Sequence, residues 1–295
     1  MSTIEKAIER LQGAGKVSDG AAQEASPDKA PDGETFAASS TKGEAQAPPG
    51  RRSVKWDFSL MDAAGLLVGE DSKTVIAEEY RQIKRPLLVN AFATGAAAIE
   101  NGNLIMITSA LPGEGKTFST INLAMSIALE RDKTVLLVDA DVARPAVSQY
   151  LSEKSVIGLV DYLNNDQISL VDVLVRTDIP NLRVLPAGRR HPHSTELLAS
   201  ARMEQLTREL STRYPDRIIL FDSPPLLATT EAAVLARLMG QIVMVVEAGR
   251  TQKEIIQEAL ALLDEESMIS LILNKSRQPF GRAYYNYYHY HADKK

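Results

Sequence analysis

The chain of 295 residues contains no cysteine. Disulfides and thiolate metal sites are thereby excluded, and the composition suits a reducing compartment. Histidine is scarce, with four in all, which leaves little material for an imidazole metal cage. An excess of positive charge is also missing: the formal net charge is −5, so nothing in the balance of charges points to nucleic acid as a partner. No run approaches the ~20 apolar residues that span a bilayer. Residues 86–99 come nearest, but Asn90 and Gly95 interrupt them. The first residues lack an apolar core followed by a cleavage site, so no secretory leader is expected. Any membrane association is therefore expected to come through a partner protein. One more absence is local. From Ser18 to Ser53 there is no Leu, Ile, Val or Met, and such a segment cannot bury enough apolar surface to offset its ordering entropy. A disordered linker is expected there.

What is present is ordinary in amount and particular in arrangement. Hydrophobic residues make up 44% of the chain, enough for a sizeable core. Ile4, Ala7, Ile8 and Leu11 share the i, i+3, i+4, i+7 spacing of one helical face, and Ser2 with Glu5 reads as a capping box. The spacing predicts a short amphipathic helix that must dock to persist. From about Lys73 the pattern turns globular. A helix is expected over 75–88, a strand over 104–107 and a helix over 117–129. Further strands are expected over 135–138, 182–185, 218–221, 242–246 and 269–273, with helices over 194–211, 230–238 and 253–265. Short β-branched runs alternating with amphipathic helices predict an α/β fold, a doubly wound and mostly parallel sheet covered on both faces. The expected division is a helix at 1–17, a linker at 18–58, a globular domain at 59–280 and a flexible tail at 281–295.

The chemistry is concentrated at strand ends. Leu104-Ile105-Met106-Ile107 leads into A-L-P-G-E-G-K-T at 110–117. Gly113 and Gly115 can take backbone angles closed to other residues, and the following helix N-terminus completes an anion cradle. A nucleotide's phosphates are thus expected on Pro112, Gly113, Glu114, Gly115, Lys116, Thr117 and Phe118. Lys116 would reach the β- and γ-phosphates, and the Thr117 hydroxyl would ligate Mg²⁺. Two more apolar runs deliver acids: 135–138 leads to Asp139 and Asp141, and 218–221 leads to Asp222. Ligands of open α/β sheets sit at the carboxyl ends of strands, and carboxylates suit Mg²⁺. Thr117, Asp139 and Asp222 are the expected metal residues, and Lys116, Asp139, Asp141 and Asp222 the catalytic set. Which of Asp139 and Asp141 is base and which is ligand is left open. Five of the nine tyrosines, Tyr284, Tyr285, Tyr287, Tyr288 and Tyr290, crowd the tail. Beside a phosphoryl-transfer loop they are expected to be phosphate acceptors.

These residues resemble the bacterial tyrosine kinases of exopolysaccharide synthesis over about residues 73–295. The resemblance rests on A-L-P-G-E-G-K-T as Walker A, V-L-L-V-D-A-D-V-A-R-P at 135–145 as Walker A′ and I-I-L-F-D-S-P-P at 218–225 as Walker B. It extends to E-E-Y-R-Q-I-K-R at 78–85, to L-P-A-G with T-E-L-L within 185–198, and to the tyrosine tail. The start M-S-T-I-E-K-A-I-E-R-L is similar to the soluble subgroup encoded with exosortase systems. The resemblance implies an ATP- and Mg²⁺-dependent P-loop tyrosine autokinase, cytoplasmic and peripheral at the inner membrane. It also implies a membrane-spanning polysaccharide co-polymerase as activator and a tyrosine phosphatase as antagonist. Head-to-tail rings would form through the family's E-x-x-R-x-x-R motif, present here as Glu78, Arg81 and Lys84. Lys at the third place departs from the pattern, because it cannot make the planar contact of Arg. Two other readings of the same loop are an ATPase switch of the ParA/MinD type, whose signature Lys is replaced by Leu111, and an ATP-binding adaptor of a polysaccharide exporter.

Overall fold

In a computed structural model, residues 52–68, 74–153, 157–214 and 216–276 are described. They form an eight-stranded sheet in the order β1-β4-β5-β3-β6-β2-β7-β8. The elements in chain order are β1 (Ser53–Val54), α1 (Phe58–Ala63), α2 (Val75–Ala91), β2 (Leu104–Ser109), α3 (Lys116–Ala128) and β3 (Thr134–Asp139). Next come α4 (Leu159–Asn164), α5 (Leu170–Val173), β4 (Val175–Thr177), β5 (Leu182–Leu185), α6 (Ser194–Leu198) and α7 (Ala201–Arg213). The last are β6 (Arg217–Asp222), α8 (Thr230–Ala236), β7 (Gln241–Glu247), α9 (Lys253–Leu260) and β8 (Met268–Asn274). Every pairing is parallel except β4 with β5. The doubly wound, mostly parallel sheet is the one the sequence pattern predicts.

The central strands are apolar on both faces because helices cover both. Ile105, Ile107, Val135, Leu137, Ile218 and Leu220 pack toward one side, where Ile121, Leu123 and Ile127 of α3 and Leu87 of α2 meet them. Leu136, Val138, Ile219 and Phe221 face the other side, against Leu159 of α4 and Leu206 and Leu210 of α7. Met106, Ile242 and Met244 continue that side under α8 and α9. This period-two alternation holds the three central strands rigid, so their carboxyl ends form one firm edge.

Three expectations need correction. The linker boundary at 58 falls inside structured chain. Ser53 and Val54 pair with Arg176 and Thr177, Trp56 bridges Leu151, and Val54 and Trp56 are buried. Two apolar side chains suffice to dock this stretch on the sheet edge. The helix expected over 194–211 is two helices, α6 and α7. Ser200 starts the second by accepting a bond from the Met203 N–H, a cap that interrupts the first. Finally, the short elements β1, β4, α1, α4 and α5 were not expected. The helix expected in the first seventeen residues, the greater part of the linker and the whole tyrosine tail lie outside the described residues.

Candidate active site

The loop joining β2 to α3 is built around two glycines in the left-handed region, Gly113 at φ 86° and Gly115 at φ 100°. At Gly115 there is no space either: an added Cβ would lie 2.0 Å from Asn274 Nδ2. That amide donates to the Glu114 carbonyl at 2.9 Å, and Lys275 Nζ donates to the Gly113 carbonyl at 2.7 Å. The end of β8 therefore fastens the loop from outside. Glu114, expected among the nucleotide-binding residues, turns its carboxylate inward and is 2% exposed. It accepts from the Leu111 N–H at 2.8 Å and from the Thr251 hydroxyl, so it braces the loop and has only its backbone left for a ligand. Phe118 likewise packs against the core, leaving its backbone at the helix start. Pro112 and Gly113 are exposed at the loop tip.

At the start of α3 the side chains meet the acids of the neighbouring strands. Lys116 Nζ pairs with Asp141 Oδ2 at 2.5 Å, and Asp141 Oδ1 accepts the Arg144 N–H at 3.2 Å. The Thr117 hydroxyl donates to Asp222 Oδ2 at 2.6 Å. Thr120 Oγ1 lies 2.8 Å from the Lys116 carbonyl and 3.2 Å from Asp222 Oδ1. Asp139 and Asp222 are register partners at the ends of β3 and β6, and both are fully buried. Asp139 Oδ2 accepts the Val147 N–H at 3.2 Å, whereas Oδ1 has no partner among the described residues.

Crowding of acids sets the electrostatics. Burial, then the charges of Asp222 and Asp141, hold Asp139 well above the usual carboxylate range. Burial pushes Asp222 up to about 6, against the pull of Lys116 and the Thr117 hydroxyl. A buried orphan oxygen and three adjacent carboxyls are costly alone, and a divalent cation would relieve both. Among the described residues no cluster of three or more His, Cys, Asp or Glu encloses a metal. The donor set of Thr117, Asp222 and Asp139 therefore fits an ion that keeps several water or phosphate ligands, as Mg²⁺ does.

The structure brings Lys116, Thr117, Asp139, Asp141 and Asp222 together at the carboxyl ends of β3 and β6. Sequence reasoning missed Thr120, Asn274, Thr251 and Lys275. Thr120 stands three residues after Thr117, hence on the same helical face, and Asn274 ends a strand as the acids do, so both carried a readable signal. The expected assembly residues divide. Glu78 pairs with Arg81 on the outside of α2. Lys84, in contrast, is 6% exposed; its ammonium donates to the Ser126 carbonyl at 2.6 Å and pairs with Glu130 at 2.6 Å. It fastens α2 to α3 within the chain and is not available to a neighbour.

Comparison with known proteins now bears on the site. A family model described as an AAA domain matches residues 102–263. The tyrosine-protein kinase YwqD of Bacillus subtilis is 32% identical over 207 residues, covering 69% of this chain and 83% of that protein. The chain belongs to the bacterial tyrosine kinases. A putative tyrosine-protein kinase, CapB of Staphylococcus aureus, is 29% identical over 76% of this chain and 94% of its own. Among solved structures, the VpsO kinase domain superposes with a TM-score of 0.54 at 33% identity, covering 67% of this chain and 99% of that one. The kinase domain of Escherichia coli ETK superposes at 0.57 with 27% identity, over 68% and 77%. A ParA-family ATPase from Chlorobium tepidum, 21% identical with a TM-score of 0.50, shares the fold. Among the described residues of this bacterial tyrosine kinase, no helix is long and apolar enough to cross a membrane.

Proposed function

We propose that this protein-tyrosine kinase uses ATP and Mg²⁺ to phosphorylate the tyrosines of its own tail, Tyr284, Tyr285, Tyr287, Tyr288 and Tyr290. The observation that carries the reading is the Lys116–Asp141 and Thr117–Asp222 pairing at a glycine loop. It supports the reading because a cation, a hydroxyl and two carboxyls are gathered at the start of the helix that follows the loop, as binding of β- and γ-phosphates with a metal would require. Lys116 would exchange Asp141 for phosphate oxygens when nucleotide arrives, and Thr117 and Asp222 would hold the metal directly or through water. Bound Mg²⁺ would supply charge neutralisation on the phosphates. The phenol oxygen forms its bond to the γ-phosphorus as the bond to the β–γ bridging oxygen breaks and ADP leaves. The phenol proton passes to Asp139 or Asp141, since free tyrosine, with a pKa near ~10, is neutral at pH 7.

Burial supports the choice of acceptor. Tyr80 and Tyr162 are buried, Tyr150 is half-buried, and Tyr214 lies beneath Arg213 and Arg217. Tyr80 and Tyr162 cannot enter a site as they stand, and Tyr150 and Tyr214 are partly covered. The length of the tail supports transfer between subunits: about ten residues, at most ~33–36 Å of extended backbone, separate Asn274, fastened beside the loop, from Tyr284, which constrains entry into the chain's own site. In the cell, the reading is control of polysaccharide synthesis or export with a membrane-spanning activator and a phosphatase. It follows the family resemblance. The deciding experiment is phosphosite mapping by mass spectrometry, with and without Phe at all five tail positions. Phosphate on the tail of the parent chain and its loss in the variant, with ATP affinity unchanged, is the expected result. Phosphate found mainly on Tyr80, Tyr150, Tyr162 or Tyr214 would overturn it.

A further inference from the structure

The amino end of the sheet, away from the ATP loop, gathers four arginines around one small pocket. Arg176 of β4 and Arg183 of β5 are direct register partners, an arrangement in which like charges oppose each other across the ladder. Arg217 opens β6 two positions further along the same face, and Arg213 ends α7. All four line a pocket of about 50 Å³ together with Leu170 and Leu174 of the α5 segment. Among the described residues no carboxylate lines it.

Local contacts account for part of this charge. The Tyr214 ring lies near two of the guanidiniums, with Arg217 3.8 Å and Arg213 5.7 Å from its centre. Glu209 pairs with Arg213, and the carbonyl end of α7 adds partial negative charge. Asp216 bonds the Thr134 hydroxyl and draws weakly on Arg217. Arg217 is only 5% exposed, and its Nη1 has no hydrogen-bond partner among the described residues. Burial and the nearby Arg183 charge both disfavour its charged form. A buried guanidinium with an idle donor, facing other guanidiniums across a small cavity, is the usual setting for a bound oxyanion.

We propose that this pocket is a second anion site, one that takes the dianionic phosphate of a phosphomonoester. Its size admits one tetrahedral group and excludes a nucleotide. The apolar wall of Leu170 and Leu174 would cover an aryl or alkyl substituent on that phosphate. Two sources share this chemistry: free inorganic phosphate, and a phosphotyrosine, the latter resting on the kinase reading above. The site stands about 17 Å from Asp222, since Arg217 and Asp222 are the two ends of one six-residue strand, so its ligand is separate from the ATP phosphates.

Thermal denaturation of the full chain tests this, with sodium phosphate or phenyl phosphate compared against sodium chloride at equal ionic strength. Both phosphates should raise the midpoint. The rise should persist in Lys116→Met, whose ATP loop has lost its cation, and should disappear in Arg176→Gln/Arg183→Gln. If that double variant does not fold, Arg176→Gln alone should weaken phosphate binding at least about tenfold, the loss of one charge-assisted contact. Phenyl phosphate binding about fivefold more tightly than inorganic phosphate would identify phosphotyrosine as the source, through burial of its ring; equal affinity would identify free phosphate. No rise in the parent chain, a rise abolished by Lys116→Met, or one retained in the arginine variants would overturn the site. Kinase activity on an exogenous tyrosine peptide should be unchanged in the arginine variants, so failure here is separable from failure of the kinase reading.

Discussion

Lys116 and Lys84 are both largely buried, both lie on or against α3, and both hold an acid at about the same distance, 2.5 Å to Asp141 and 2.6 Å to Glu130. Their surroundings differ. Lys84 has a carbonyl and one half-exposed carboxylate, and its contacts are complete. Lys116 faces a cluster in which Asp139 and Asp222 crowd Asp141, and one Asp139 oxygen is idle. A buried lysine whose partners balance it holds helices together. One set among surplus acids is arranged for charge that is yet to arrive. Four substitutions test that distinction.

The largest effect belongs to Lys116→Met. Removing a preorganised cation from a phosphoryl-transfer site should lower kinase turnover by ~10²–10³, while circular dichroism shows the fold retained. The chain must come from a host without other tyrosine kinases. Normal phosphotyrosine on this variant would end the proposed mechanism.

The acid cluster predicts a pH dependence of known sign. Asp222 titrates at about 6 when folded and near ~3.9 when unfolded, so between these values the folded chain binds more protons. Stability of the nucleotide-free chain should therefore fall as pH rises from about 4 through 6, and then level off. The raised Asp139 adds a further decline in the same direction. The rise of Asp222 from ~3.9 to about 6 corresponds to roughly 3 kcal/mol between the two pH limits. Asp222→Asn keeps an oxygen for Thr117 and should remove the Asp222 share of this slope, leaving that of Asp139, in urea titrations across pH 4–8. An unchanged slope would mean that the carboxyl is not strained when buried.

Lys84→Met should behave in the opposite manner to Lys116→Met. Leaving the Ser126 carbonyl and Glu130 without their donor should cost about 1–2 kcal/mol in urea midpoint measurements, discounted because Glu130 is 38% exposed. ATP affinity and tail phosphorylation should hold. Loss of phosphorylation with stability intact would reverse the assigned roles.

The same pair shows what was legible in the sequence. Lys116 was read at once, because a strand, two glycines and a helix start define its place chemically. Lys84 was read from a spacing motif as an assembly residue, and the signal against this was present. Ala77, Tyr80, Lys84 and Leu87 form the buried stripe of α2, so the lysine stands on the inner face by helical periodicity alone. Long apolar strands such as β2 and β7 were visible for a similar reason: burial on both faces demands an unbroken run. The pairs and triplets of β1 and β4 were invisible, since an edge strand of two or three residues needs only one or two inward side chains. The arginine pocket was equally hidden. Arg217 is remote in the chain from Arg176 and Arg183, and only sheet register brings the three together.

The smallest effect expected on stability is that of Arg81→Ala. Glu78 and Arg81 are an i,i+3 pair on α2, with side chains 39% and 32% exposed, and such surface pairs contribute at most ~0.5 kcal/mol. The urea midpoint should therefore scarcely move. If this face of α2 contacts a neighbouring copy, a charged, fork-shaped donor at its centre matters more to assembly than to folding. Sedimentation velocity should then show a shift toward monomer. The functional readout is a mixture of a Lys116→Met chain bearing a normal tail with an active chain whose five tail tyrosines are Phe. Phosphate should appear on the inactive chain, and Arg81→Ala in both should reduce it severalfold while single-chain ATP binding is unaffected. Should the two chains associate without any transfer, the tail serves its own site and assembly has another purpose. Should transfer proceed equally with Arg81→Ala, the neighbour docks elsewhere, and the outward pair on α2 is no more than a solvated helix face.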